Sequence, residues 1–306
     1  MFHIAYCFDL AYEQHFGASV CSLLLTYGGA AADLAIHVVR EASNIAFERK
    51  VRKLADIFGA TIDVNVLSAD DLAQVRNLTV KSQAVMHATS ATYYRLLLPE
   101  IVPQSAEQVL YLDSDTIVLS DVSPLLQTDM QGKALGGVVD LTGKEMAERL
   151  KIPQYVNAGV LLFDLRSWRA NDYGRKCIEF ARSNPNAAIF ADQCLINIVL
   201  ANDVFTLEPK WNRFVTAQHS SDDAGDAAIL HFIMADKPWH AWYENELARY
   251  YWKYLDVSPW ADAKPVAPKT VEQALRQARL FAQRRKPDEA IEIYENILSS
   301  MQRGRR

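Results

Sequence analysis

Two hydrophobic periods alternate along the first 70 positions. His3 to Phe8 is a short apolar run of strand length. Glu13 to Tyr27 then repeats apolar residues at helical spacing until Gly28-Gly29 stops it. Leu34 to Val39 reads as a second strand. A helix follows through Phe58, with Ser43 placed to cap its start and Gly59 to end it. Thr61 to Leu67 alternates apolar and polar residues, the period of a third strand. This β-α-β-α-β order predicts an α/β fold: a mainly parallel sheet flanked by helices and joined by right-handed crossovers.

The pattern continues less regularly. A helix is expected over Thr89 to Leu97, before Pro99. Gln108 to Leu112 reads as a buried strand that runs straight into Asp113-Ser114-Asp115. Further strands are expected at Ala134 to Val139, Tyr155 to Leu165 and Ala227 to Phe232, with helices over Tyr173 to Arg182 and Asp192 to Ala201. Ligands of such sheets gather beyond the carboxyl ends of the strands, so Asp9, Asp113 and Asp115 are candidates to share one crevice.

The proline-bearing stretch Pro259 to Pro268 divides the chain into a unit over 1–262 and a segment over 265–306. Val271, Ala274, Leu275, Ala278, Phe281 and Ala282 follow helical spacing, as do Ala290, Ile291, Tyr294, Ile297 and Leu298 after Pro287. This predicts a C-terminal α-helical hairpin. It resembles one tetratricopeptide unit, with Ala278, Phe281, Ala290 and Tyr294 at the small and aromatic packing positions. No second copy is found. A lone unit cannot bury its face, so it docks on the main unit, pairs with another chain, or is the stump of an array.

Composition narrows the function classes. Of 306 residues, 50% are apolar and 23% charged, a globular balance with material for a large core. Lys+Arg is 32 and Asp+Glu 37, so the net charge of −5 gives no support to nucleic-acid binding. The tail from Lys269 is net +4, which reads first as a solvated helix face and second as a peripheral membrane or protein contact. Cys7, Cys21, Cys177 and Cys194 form no C-x-x-C and read as reduced, buried thiols. No secretory signal is visible, and the apolar region from Ala18 to Val39 is broken at Gly28-Gly29 and by Asp33. A cytoplasmic protein is expected, with the inner membrane face as a secondary location. The rings between Trp239 and Trp260 suit core packing first, and sugar stacking or a membrane interface second.

The first chemical signal is Asp113-Ser114-Asp115. Carboxylates two apart at a strand end project to one side and repel unless a cation lies between them. By itself such a pair is more often a turn or a cap. His231 alone reads as a core histidine, Asn157 as a turn residue, Asp192 as a helix cap and Lys237 as part of a surface turn.

Order along the chain reverses those odds. Thr92-Tyr93-Tyr94-Arg95-Leu96, VLYLDSDTIV (109–118), NAGVLLFDL (157–165), Asp192-Gln193 and HFIMADKPWH (231–240) occur in the order and spacing of glycosyltransferase family 8, which this sequence resembles over roughly residues 1 to 260. That resemblance implies a GT-A fold and a retaining transfer of glucose or galactose from UDP-glucose or UDP-galactose, with Mn²⁺ or, alternatively, Mg²⁺. It implies a glycan or lipid-linked glycan acceptor of the lipopolysaccharide type. Asp113, Asp115 and His231 would be metal ligands and Lys237 a diphosphate contact. Asp9 and Tyr12 would hold the uracil. Arg95, Asn157 and Asp192 would contact the donor sugar, and Gln193 would sit beside the anomeric carbon.

Three positions depart from the family pattern. Met234 stands where Gly is usual, so the loop must differ locally or donor binding is weakened. Cys194 replaces an acidic residue or Asn, and Ala11 an Asn near the uracil. Two other readings stay open. One is a phosphohydrolase of the haloacid dehalogenase type, for which VLYLDSDT is superficially right. The other is a weakened relic that binds a nucleotide sugar or a partner.

Overall fold

The computed structural model describes residues 1–76, 78, 89–184, 190–217 and 223–303. Its first third is the expected alternation: β1 (Phe2–Cys7), α1 (Glu13–Thr26), β2 (Leu34–Arg40), α2 (Ile45–Phe58), β3 (Thr61–Val66) and α3 (Ala69–Val75). β1 and β3 both pair parallel with β2. The cap of α2 is Asn44, not Ser43. Asn44 has extended backbone, and its side-chain oxygen accepts from Phe47 N at 2.9 Å. Gly59 ends the helix at φ +66, a conformation that suits glycine.

Thr89 to Leu97 is not an α-helix. Ser90–Leu97 is a 3-10 stretch leading into α4 (Leu98–Ile101). Three residues per turn place i and i+3 on one line, so Thr92 and Arg95 face the same way. Apolar spacing alone does not separate the two helix types here.

There follow β4 (Gln108–Leu112), β5 (Thr116–Val118), α5 (Ser123–Leu126), β6 (Leu135–Val139), α6 (Gly143–Leu150), β7 (Val156–Asp164), α7 (Leu165–Asn171), α8 (Tyr173–Ser183) and α9 (Ala191–Val199). The chain continues with β8 (Val204–Thr206), β9 (Arg213–Val215), β10 (Ile229–Phe232), α10 (Ala248–Asp256), α11 (Val271–Gln283) and α12 (Pro287–Arg303). Seven strands form one sheet in the order β3-β2-β1-β4-β7-β6-β8, with β7 antiparallel to both neighbours. A second sheet, β5-β10-β9, is not foreseen from periodicity, because two of its strands are three residues long.

Strand alternation sorts the core. Ile4, Tyr6, Leu110 and Leu112 face α1 and the second sheet, while Ala5, Cys7, Val109 and Tyr111 face the 3-10 stretch and α9. Trp239, Trp242, Tyr243, Tyr251, Tyr254 and Trp260 are buried, so these rings pack inward and offer no membrane-facing band. All four cysteines are free and buried. Among the described residues, no helix is long and apolar enough to cross a membrane. α11 and α12 pack together over Ala278 and Ala290, whereas Tyr294 stays 38% exposed beside Ile291 and Leu298. The last three residues of the basic tail lie outside the described residues.

Candidate active site

β1, β4 and β6 run in one direction and end at one edge of the large sheet. Asp9, Asp113 and Asp140 follow those ends closely. β7 runs the other way, so its beginning, Asn157, reaches the same edge. A solvent-open cleft of about 560 Å³ lies there, lined by Asp9, Tyr12, Thr92, Arg95, Asp113 and Asp115 among others.

The Asp113-Ser114-Asp115 turn crosses from the large sheet to the small one. Asp113 N donates to Gly159 O at 2.8 Å, which fixes the turn to β7. Thr116, one residue beyond, pairs with His231 on β10. His231 Nε2 thereby comes 3.3 Å from Asp115 Oδ1 and 3.8 Å from Asp113 Oδ2. Each of the three residues offers one ligand atom, all within 4.8 Å, and they form the one such group among the described residues.

A relay of acceptors and donors sets the histidine tautomer. The Asp140 carboxylate only accepts, so Asn157 turns its amide nitrogen toward Oδ2, at 2.9 Å. Asn157 Oδ1 then accepts from Gly159 N at 2.9 Å and from Asn212 Nδ2 at 3.0 Å. This turns Asn212 Oδ1 toward His231 Nδ1, 2.9 Å away, so Nδ1 carries the proton. Nε2 is the ring nitrogen that faces the carboxylates. Asp115 Oδ1 is buried without a hydrogen-bond partner. Burial by itself would raise the Asp115 carboxyl, but Lys237 and His231 override it and hold it well below the usual carboxylate range. Two carboxylates and an imidazole nitrogen suit a divalent cation that accepts oxygen and nitrogen, such as Mn²⁺.

The remaining predicted residues divide into two groups. Lys237 lies at the carboxylates: its Nζ donates to Asp115 Oδ2 at 2.7 Å and to Phe232 O at 2.6 Å. Gln193 stands beside Asn157, with Oε1 accepting from Ala158 N at 3.0 Å and Nε2 3.3 Å from Asp140. Tyr12 lines the cleft and meets Trp239 edge-on at 5.7 Å. Asp9 also lines it, while capping the short turn 10–12 through Ala11 N. Arg95 and Asp192 are more enclosed. Arg95 Nη2 donates to Asp113 at 3.0 Å, Nε to Thr92 O at 3.1 Å and Nη1 to Ala158 O, and the guanidinium stacks on Tyr111. Asp192 lies 3.0 Å from Arg95 Nε and accepts from the Thr92 hydroxyl. It is the second residue of α9 and not its cap. Burial raises its carboxyl above the usual range despite Arg95.

Met234 retains the left-handed backbone that glycine favours, at φ +70, with its side chain 65% exposed. The loop therefore does not leave that region of conformational space. Cys194 is buried against Tyr155 and Phe190 N, and Ala11 is exposed.

Asp140 and Asn212 are the site residues that sequence reasoning missed. Asp140 carried a usable signal, since it follows a predicted strand as Asp113 does. Asn212 carried none, because it precedes a three-residue strand with no visible period.

The family model of glycosyl transferase family 8 matches residues 3–243. The chain is 26% identical over 285 residues to a lipopolysaccharide 1,2-glucosyltransferase of Escherichia coli strain K12, covering 88% of this chain and 82% of the relative. It is 24% identical over 289 residues to a lipopolysaccharide 1,3-galactosyltransferase of Salmonella typhimurium strain LT2, covering 89% and 83%. The crystal structure of the galactosyltransferase LgtC in complex with donor and acceptor sugar analogs superposes with a TM-score of 0.70 at 22% identity, over 87% of this chain and 98% of that one. The mixed seven-stranded sheet with its flanking helices is thus the GT-A fold, and the phosphohydrolase alternative falls away. With the match running from the first strand past Lys237, this chain belongs to glycosyl transferase family 8.

Proposed function

We propose that the chain transfers glucose or galactose from a UDP-sugar, with retention at the anomeric carbon, to a glycan or lipopolysaccharide-type acceptor at the cytoplasmic side of the membrane. The observation that carries this reading is the convergence of Asp113, Asp115, His231 and the Lys237 ammonium at one end of the cleft. A divalent cation held by the first three would supply positive charge to the donor diphosphate. Lys237 has its ammonium beside Asp115, where it would meet the diphosphate and stabilise charge on the departing UDP. Asp9 and Tyr12 line the cleft as a hydrogen-bonding group and a ring for uracil. Asn157 and Gln193 are both held by Asp140 at the sheet edge, and would contact the sugar from there. Arg95 and Asp192 support that wall, and their mutual pairing makes them holders of Asp113 as much as sugar contacts. The names of the relatives support a hexose donor and a lipopolysaccharide acceptor.

Calorimetry with UDP-glucose and UDP-galactose, each with Mn²⁺ and with EDTA, tests the reading. Metal-dependent binding of one of them is expected, and Asp115→Asn should abolish the metal dependence. Undiminished metal-dependent binding by that variant would remove Asp115 from the site.

A further inference from the structure

The loop that brings Lys237 to the cleft is gripped by α11 and the segments that flank it. Asp236, the neighbour of Lys237, accepts from Arg276 Nη1 on α11 at 2.6 Å and from Trp242 Nε1 at 2.7 Å. Arg276 Nε also lies 3.4 Å from Glu244, and Arg284 donates to Glu246 at 3.0 Å. Ahead of α11, Val266 N donates to Trp239 O at 2.8 Å, and Val266 O accepts from Ala241 N at 3.0 Å. The loop is thus paired by backbone at 239–241 and pinned by charge at 236.

The Arg276 side chain is only 20% exposed, and its Nη2 is buried without a hydrogen-bond partner. That desolvation is a cost an exposed ion pair does not carry, so Asp236 and Glu244 must hold the arginine in place. Consecutive side chains point to opposite sides here. Asp236 reaches out to α11, while Lys237 reaches in to Asp115, and Lys237 N closes the turn on His240 Nδ1 at 3.1 Å. Holding Asp236 therefore holds the backbone from which Lys237 extends.

We infer that Arg276 is a positioning residue for donor binding. By clamping Asp236 it holds the 233–240 loop so that Lys237 presents its ammonium to the diphosphate. The hairpin is then a working part of the donor site. This rests on the UDP-sugar reading above.

The test is a double-mutant cycle on the full chain with Mn²⁺ present. UDP affinity is measured by calorimetry, and uridine affinity by ligand-observed NMR, for the parent, Arg276→Ala, Arg276→Lys, Lys237→Ala and the double alanine variant. Arg276→Ala should weaken UDP about tenfold, the scale of one charge-assisted hydrogen bond, and leave uridine unchanged. Arg276→Lys should recover part of the loss. In the Lys237→Ala background, removing the arginine should change UDP affinity by less than about twofold. Unchanged UDP affinity in Arg276→Ala, an equal loss for uridine, or full additivity with Lys237→Ala overturns the proposal alone. Should the alanine variant fail to fold, Arg276→Gln carries the same readout. Failure of the parent chain to bind UDP with Mn²⁺ overturns the donor reading, and this inference with it.

Discussion

Gly159 on β7 sits directly beneath the His231 imidazole. A Cβ built there would stand 2.7 Å from both ring nitrogens and closer still to Cε1. Ordinary contact begins near about 3.4 Å, so Gly159→Ala requires the ring to retreat by at least roughly 0.7 Å. The ring has little freedom to do so. Its backbone is paired on both sides within the small sheet, and Nδ1 is tied to Asn212 at 2.9 Å. Metal–ligand distances tolerate about 0.2 Å, so the shift takes Nε2 out of register with the carboxylates. Disturbing the groups that orient a ligand typically reduces metal affinity about 10–100-fold, or about 1.4–2.7 kcal/mol. Overpacking should cost about 1–3 kcal/mol of stability as well. Mn²⁺ titration followed by electron paramagnetic resonance reads the first effect, and urea unfolding in EDTA the second. Mn²⁺ affinity within twofold of the parent, in a folded variant, would refute both the role of Gly159 and that of His231.

Three further expectations follow from named contacts. Asn212→Ala should break the relay that keeps the His231 proton on Nδ1 and lower Mn²⁺ affinity about tenfold or more; an unchanged titration refutes the relay. Met234→Gly should stabilise the fold by about 1 kcal/mol, because a left-handed residue with a Cβ is strained, and a melting temperature that does not rise counts against this. Asp236→Asn should cost about 1–2 kcal/mol at pH 7. Burial pushes the Asp236 carboxyl up, but Arg276 and Trp242 outweigh it and hold it below the usual value. Its stabilisation is therefore full above the unfolded pKa of about 3.9 and is lost as pH falls through the folded value. The gap between the unfolding curves of variant and parent should narrow as pH falls below about 4 and close once the folded value is passed, and a gap that does not narrow contradicts the pairing.

Much of the fold follows from periodicity, because β1 to β3 are six or seven residues long and their helices fourteen. The small sheet does not, since three residues of β5 or β9 contain no measurable period. Of the cleft, Asp9 and the carboxylate turn are legible as strand-end residues. His231, Asn157 and Lys237 gain meaning only from their order with other segments. Asp140 and Asn212 became visible through hydrogen-bond geometry, because a single amide or carboxylate carries no pattern in one sequence. The boundary errors are physical too. Ser43 and Asn44 both cap helices well, and only backbone direction decides between them.

The Asp113–Asp115 turn is also the seam between the two sheets, and this orders the making of the molecule. Its partners arrive late: Gly159 some forty residues on, and His231 and Lys237 more than a hundred. Contacts so distant in sequence form slowly and after local ones. A chain emerging from the ribosome therefore carries both acids, from residue 115 until residues 231 and 237 are made, without the imidazole and ammonium that balance them. Until β10 adds itself to β5, His231 stands apart from the two acids. The last third of the polypeptide thus completes a cluster whose acids lie in its middle third, and a fragment released before residue 231 lacks both the imidazole and the ammonium.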